Sequence, residues 1–132
     1  MPLEHIIGCL VTQDASVQDA AGAIQNGGKQ ICLLVNESNH LIGSVTDGDL
    51  RRGLLAGVQV HAPASMIMNK SPVSAFIGTA PEVLLEIIKT NDIQQIPLID
   101  KSGQVTNIIH LHDLSAPALH QDNIVVLMAG GL

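Results

Sequence analysis

Displaced by 64 residues, the chain superposes on itself without a gap. Ile24 falls on Ile88, Gln30 on Gln94, Leu34 on Leu98, Asp49 on Asp113 and Leu50 on Leu114. Identities are few, but the order of local patterns is kept in register. In the first half, Ser16-Val17-Gln18-Asp19 has the form of a capping box. Val17, Ala20, Ala21 and Ile24 give that helix an apolar face, and Gly27-Gly28 supplies its stop. Ile31 to Val35 is an apolar run of strand length, Asn36 to Asn39 a turn, and His40 to Val45 a returning strand. A helix from about Asp47 to Leu55 closes at Gly57. In the second half, Pro81 takes the first position of a helix with Val83, Leu84, Ile87 and Ile88 on its apolar face, ended by Asn91-Asp92. Strands at Gln95 to Ile99 and Val105 to Ile109 flank a turn at Asp100 to Gly103, and His112-Asp113-Leu114 starts a short helix before Pro117. Residues 58–71 connect the halves, with Pro63 and Pro72 limiting regular structure.

Units this small cannot each bury a core alone, so the repeat predicts two halves packed face to face about a pseudo-twofold axis. The expected fold class is α/β (α+β): two β-α-β-β-α units, sheet to sheet, with helices outside. Their expected bounds are residues 1–60 and 61–120, and a cleft should run along the midline. The composition agrees, because 46% of the 132 residues are hydrophobic while Phe76 is the one aromatic. Ile, Val, Leu and Ala must build the core, which suits strands covered by helices. A net charge of −6 with no basic run excludes nucleic acid as an expected partner. Cys9 and Cys32 lack CxxC spacing, so neither a disulfide framework nor a zinc site is indicated, and a reduced, cytoplasmic setting is expected. No signal-peptide pattern opens the chain, and the apolar run Ile124 to Leu132 is far short of the roughly 20 residues a membrane span needs. No membrane partner is therefore expected.

Gly43-Ser44-Val45-Thr46-Asp47-Gly48-Asp49 reads as a strand running straight into a helix. Thr46 and Asp47 are N-cap types, and Asp49 places a carboxylate in the first turn. A hydroxyl and a carboxylate three residues apart thus converge beside free helix-start N–H groups. That arrangement suits a ribose-phosphate, with the carboxylate accepting from vicinal hydroxyls and the N–H groups facing phosphate. It is equally the form of a plain capping box on a surface helix. Asp113 repeats the carboxylate in the second half.

With the repeat and this motif together, the chain resembles a tandem pair of CBS domains, the unit often called a Bateman module. The resemblance covers roughly Cys9 to Pro117. It rests on Gly43 to Asp49, on the strand Ile31 to Val35 with its turn, and on Ile96-Pro97-Leu98-Ile99-Asp100 in the second repeat. It implies a regulatory ligand such as AMP, ADP, ATP or S-adenosylmethionine in the midline cleft, with no required cofactor. By position, Asp49 would hold the ribose hydroxyls and Thr46 the ribose or phosphate. Gly43, Ser44 and Val45 complete the motif, and Val11, Thr12 and Ile31 to Leu33 would flank the base. The second repeat departs from the pattern: Asn107 stands at the glycine and His110 at the threonine, while Asp113 keeps its place. One functional pocket is expected. The second site, at His110, Asp113, Ile96 and Pro97, is left open between empty, altered in preference and structural.

The segment Asn123 to Leu132 resembles the opening strand and Gly-rich turn of a sugar-phosphate nucleotidyltransferase. Residues 121–132 are accordingly expected to begin a covalently attached catalytic domain, the rest being its regulatory part. Arg51 and Arg52 are candidates for ligand phosphate or for plain surface charge, and Lys70 is a weaker one. His110 and His112 lack the partners of a metal site. No nucleophile–base pair or paired carboxylates point to catalysis here. Three readings remain: a ligand sensor, a dimerisation scaffold, and a contributor to catalysis through Gly130-Gly131. A homodimer is expected from the resemblance and from the prevalence of C₂ assemblies.

Overall fold

The computed structural model describes residues 6–115. Each repeat supplies one three-stranded sheet. The first contains β1 (Leu10–Thr12), α1 (Val17–Gly27), β2 (Ile31–Val35), β3 (Leu41–Thr46) and α2 (Asp47–Leu55). The second contains β4 (Ala75–Phe76), α3 (Pro81–Thr90), β5 (Gln95–Ile99), β6 (Val105–His110) and α4 (Leu111–Ser115). In both, the leading strand runs parallel beside the central one, and the central strand pairs antiparallel with the last, giving orders β1-β2-β3 and β4-β5-β6. The predicted β-α-β-β-α order and its repetition are both present.

Side-chain alternation explains why the halves need each other. Along β2, Ile31, Leu33 and Val35 point one way and meet Val105 and Ile108 of the second sheet, with Ile6 and Cys9 closing the cluster. Cys32 and Leu34 point the other way, onto Ala20, Ala23 and Ile24 of α1. In β5 the same period puts Ile96 and Leu98 against Leu84 and Ile88 of α3. A strand with two apolar faces is stable only when both are covered, and the second repeat covers the first. Each fully buried aliphatic side chain stabilises the pair by about 1.5–3 kcal/mol.

The twofold relation is explicit in backbone hydrogen bonds. Leu41 N donates to Gly103 O at 3.3 Å, and Val105 N donates to Asn39 O at 3.1 Å; each bond maps onto the other by the 64-residue shift. The two hairpin turns share their chemistry as well. Asn36 Oδ1 accepts from Ser38 N and His40 N, and Asp100 Oδ1 accepts from Ser102 N and Gln104 N. Asn39 and Gly103 occupy the same turn position with φ of 64° and 91°, a region that Asn and Gly enter most readily.

The connector is folded onto the first repeat. Ala64 is buried with the α1–β2 cluster, Ala64 N donates to Ala15 O, and Asn69 exchanges backbone hydrogen bonds with Ser44 at 2.7 and 3.1 Å along the edge of β3. No helix among the described residues is long and apolar enough to cross a membrane. The expectation for Asn123 to Leu132 lies outside the described residues.

Candidate functional site

Thr46 ends β3 and caps α2. Its hydroxyl accepts from Asp49 N at 3.4 Å and donates to Asp49 Oδ2 at 3.1 Å, while Thr46 N donates to the same carboxylate oxygen at 3.0 Å. The motif is thus a complete capping box, and the threonine proton is directed to Asp49 rather than outward. Asp49 Oδ1 receives Arg52 Nη2 at 2.6 Å. Arg52, not Arg51, is the arginine at the carboxylate, because three residues along a helix return to the same face and two do not.

Alternation along β3 sorts the rest of the motif. Thr46 and Ser44 pair with Ile31 and Leu33 and share their face, toward the second repeat. Val45 and Gly43 pair with Cys32 and Leu34 and take the helix-covered face. Val45 is fully buried in the α1 cluster, and a Cβ on Gly43 would meet Met68 and Asn69 of the connector. Both were expected at the ligand, and both instead serve packing. Leu33 shares the cleft-side face but is fully buried between the sheets.

A cavity of about 160 Å³ lies where the first repeat's motif meets the second repeat. Ile31, Ser44, Thr46 and Asp49 of the first repeat line it, together with Asn69, Pro72 and Val73 of the connector and Ile93, Gln95 and Pro97 of the second repeat. A second cavity of about 330 Å³ shares Thr46, Ile93 and Gln95 with it, so the two adjoin across these residues. Two buried polar side chains line the inner cavity. Ser44 is only 4% exposed, and its hydroxyl has no hydrogen-bond partner among the described residues. Gln95 is 8% exposed; its Nε2 donates to Gln30 O at 3.3 Å, while Oε1 has no partner among them. Buried polar atoms left unpaired are rare and point to a polar ligand.

The symmetry-related half-site is built differently. His110 takes the place of Thr46, and its N donates to Asp113 Oδ2 at 2.9 Å, as Thr46 N does to Asp49. The residue is 8% exposed, and its ring is tied down at both nitrogens. Nδ1 accepts from His112 N at 3.1 Å, so Nε2 carries the proton and donates to Gln30 Oε1 at 3.0 Å. Burial first, then the neighbouring His112, push the His110 pKa down; Asp113 opposes and Lys29 adds to the lowering. Lys29 Nζ stands 3.6 Å from Asp113. Here the chain's own groups satisfy one another. Ile96 faces α3 in the core, and Pro97 lines the first cavity rather than the second half-site.

Val11 and Thr12 are separated from the Thr46–Asp49 cavity. They line an open groove of about 630 Å³ with Asp19, Gly22 and Asn26 of α1. The reason is sheet order: β2 stands between β1 and β3, so β1 is two strand spacings from the motif. Among the described residues, no group of three or more His, Cys, Asp or Glu could hold a metal.

The model of the CBS domain matches this chain twice, over residues 9–56 and 64–116. The chain belongs to the CBS domain family. An uncharacterized Helicobacter pylori protein is 32% identical over 107 residues, which are 80% of this chain and 32% of that protein. The arabinose 5-phosphate isomerase GutQ of Salmonella typhi is 29% identical over 98 residues, 74% of this chain and 30% of the isomerase. The CBS pair described here thus spans about a third of the length of the curated relatives it matches. A CBS domain protein from Pyrobaculum aerophilum, complexed with AMP, superposes with a TM-score of 0.74 at 18% identity, covering 80% of this chain and 82% of that one. The CBS domain pair of protein MJ0100, in complex with 5′-methylthioadenosine and S-adenosyl-L-methionine, gives 0.72 at 19% identity, covering 80% and 83%. These likenesses establish the fold.

The cleft of this CBS pair also contains residues that the motif alone does not single out: Asn69, Pro72 and Val73 from the connector, and Ile93 and Gln95 from the second repeat. Gln95 was within reach of sequence reasoning. It lies 64 residues after Ile31, and a twofold axis through the cleft brings the starts of both central strands to it.

Proposed function

We propose that this CBS pair is a regulatory ligand-sensing module that binds an adenosyl compound of the AMP, ADP, ATP or S-adenosylmethionine class in the Thr46–Asp49 cleft. The observation that carries it is the cleft itself, with the unpaired Ser44 hydroxyl beside the Thr46–Asp49 box and the unpaired Gln95 Oε1 on the second repeat's side of it. A ligand there would touch both repeats and so bias their relative packing, which is the physical content of regulation. That structural neighbours carry AMP, or 5′-methylthioadenosine and S-adenosyl-L-methionine, in CBS folds supports the class. In this reading Ser44, Thr46, Asp49, Ile31, Gln95 and Pro97 bind, and the second half-site is structural.

The module divides as residues 1–60 and 61–120, with 121–132 opening an attached sugar-phosphate nucleotidyltransferase. The sequence of Asn123 to Leu132 supports that target, whereas GutQ shows that a relative of this pair belongs to a sugar-phosphate isomerase. The pair acts in the cytoplasm and forms a homodimer through its helices. Leu54 and Leu55 of α2, with Val60 and Met66, leave apolar surface exposed for it. The scaffold reading keeps this dimer and drops the ligand.

A thermal-shift panel of AMP, ADP, ATP, GTP and S-adenosylmethionine separates the two. A ligand at a hundred times its dissociation constant adds about 2.7 kcal/mol of stability. A shift with an adenosyl compound that Asp49→Ala removes supports the sensor, and no shift with any compound leaves the scaffold.

A further inference from the structure

We infer that the cleft selects adenosyl ligands with a neutral or cationic tail over nucleoside polyphosphates, an inference that rests on the adenosyl site proposed above. Beyond Thr46, the inner cavity adjoins the outer one, whose remaining walls are Gln30, Asp47, Gly48, Asp92 and Gln94. Asp47 stands at the first position of α2, and Asp92 follows α3 on the opposite repeat. Neither carboxylate has an ion-pair partner, and no Lys or Arg lines either cavity, among the described residues.

Two of the nearby cations are already paired with carboxylates, Arg52 at the cleft itself. Arg52 is held on Asp49 Oδ1 at 2.6 Å, and Lys29 faces Asp113 in the other half-site. The N-terminus of α2 offers the tail about half a positive charge. Asp47 and Asp92, both exposed, set two solvent-screened negative charges at the rim of this mouth, in a chain whose net charge is already −6. The carboxylates therefore win, and a triphosphate entering this mouth meets like charge on both walls. A sulfonium or ammonium group meets the opposite sign. The amide side chains of Gln30, Gln94 and Gln95 accept and donate without altering the balance.

The test is a pair of titrations by calorimetry, S-adenosylmethionine and ATP, on the unaltered protein and on an Asp47→Asn/Asp92→Asn variant, in chelator. The unaltered protein is expected to prefer S-adenosylmethionine by at least about tenfold at low salt, a preference that narrows as salt screens the mouth. In the double variant the ratio should move about tenfold toward ATP; because both ligands are measured on one protein, any loss of folded material cancels. Tighter binding of ATP by the unaltered protein, or an unchanged ratio in the variant, overturns the inference and leaves the adenosyl site standing. Binding of neither ligand overturns the site itself.

Discussion

Asp49 is the residue on which the most rests, because one carboxylate both closes the capping box and faces the cleft. Two hydrogen bonds to such a group contribute about 1.5–3 kcal/mol each. Asp49→Ala should therefore weaken ligand binding on the order of a hundredfold, read as the affinity change rather than the melting point. Loss of the N3 side of the capping box separately costs about 0.3–1.5 kcal/mol of stability. His110 carries a different prediction. Its pKa is lowered in the folded state from the ordinary 6.5, so the unfolded chain takes up the proton first as pH falls. The stability this group contributes is complete above 6.5 and is lost as pH drops from there toward the folded value. Melting curves of the unaltered protein and His110→Gln should converge with acidification through that window; a constant gap would show that the ring's neutrality is not what holds it. Cys32 is a third case: burial pushes its thiol up to about 12, with Cys9 adding to the rise. Iodoacetamide at mildly alkaline pH should leave Cys32 unlabelled until the protein unfolds, since only the thiolate reacts.

At the scale of elements, the helices and the long strands were legible because each has its own period and its own punctuation. Ser16 and Asp19 form the predicted capping box, Gly28 takes the left-handed stop at φ 81°, and Pro81 opens α3. The leading strands are only three and two residues long, too short to show any alternation, and become strands through parallel pairing with β2 and β5. The β3–α2 motif was legible as a site but not in its division of labour. Reading it as a block assigned Gly43 and Val45 to the ligand, whereas a strand must send alternate residues to opposite faces. Gly43 is small because the connector passes over it. A Cβ there would overlap Met68 Sδ and lie 2.9 Å from its Cγ and 3.1 Å from Asn69 O. Gly43→Ala should accordingly lower stability by about 1–3 kcal/mol in denaturant unfolding, through displacement of the connector.

For the molecule as a whole, the informative feature is a symmetry kept in the backbone and broken in the side chains. Hairpin turns, reciprocal cross-repeat hydrogen bonds and both carboxylates obey the 64-residue shift. Ser44 and Thr46 become Ile108 and His110, and a half-site that would face a ligand becomes one that satisfies itself through Gln30, His112 and Lys29. The sequence shows that substitution plainly; that His110 would reach across to Gln30 depends on packing between repeats, which no local pattern records. Exposed Leu54 and Leu55, the latter 80% exposed, give the assembly its own test. Sedimentation should show a dimer that Leu54→Asp/Leu55→Asp converts to monomer, and an unaltered monomer would remove the dimer from the account. The central claim is a single working cleft per chain, and stoichiometry with Asp49→Ala and Asp113→Ala tests it most directly. Titrated with the adenosyl compound that gives the largest thermal shift, the protein should bind one equivalent per chain, with affinity reduced about a hundredfold by Asp49→Ala and little changed by Asp113→Ala. Two equivalents per chain, or equal losses in the two variants, would contradict it.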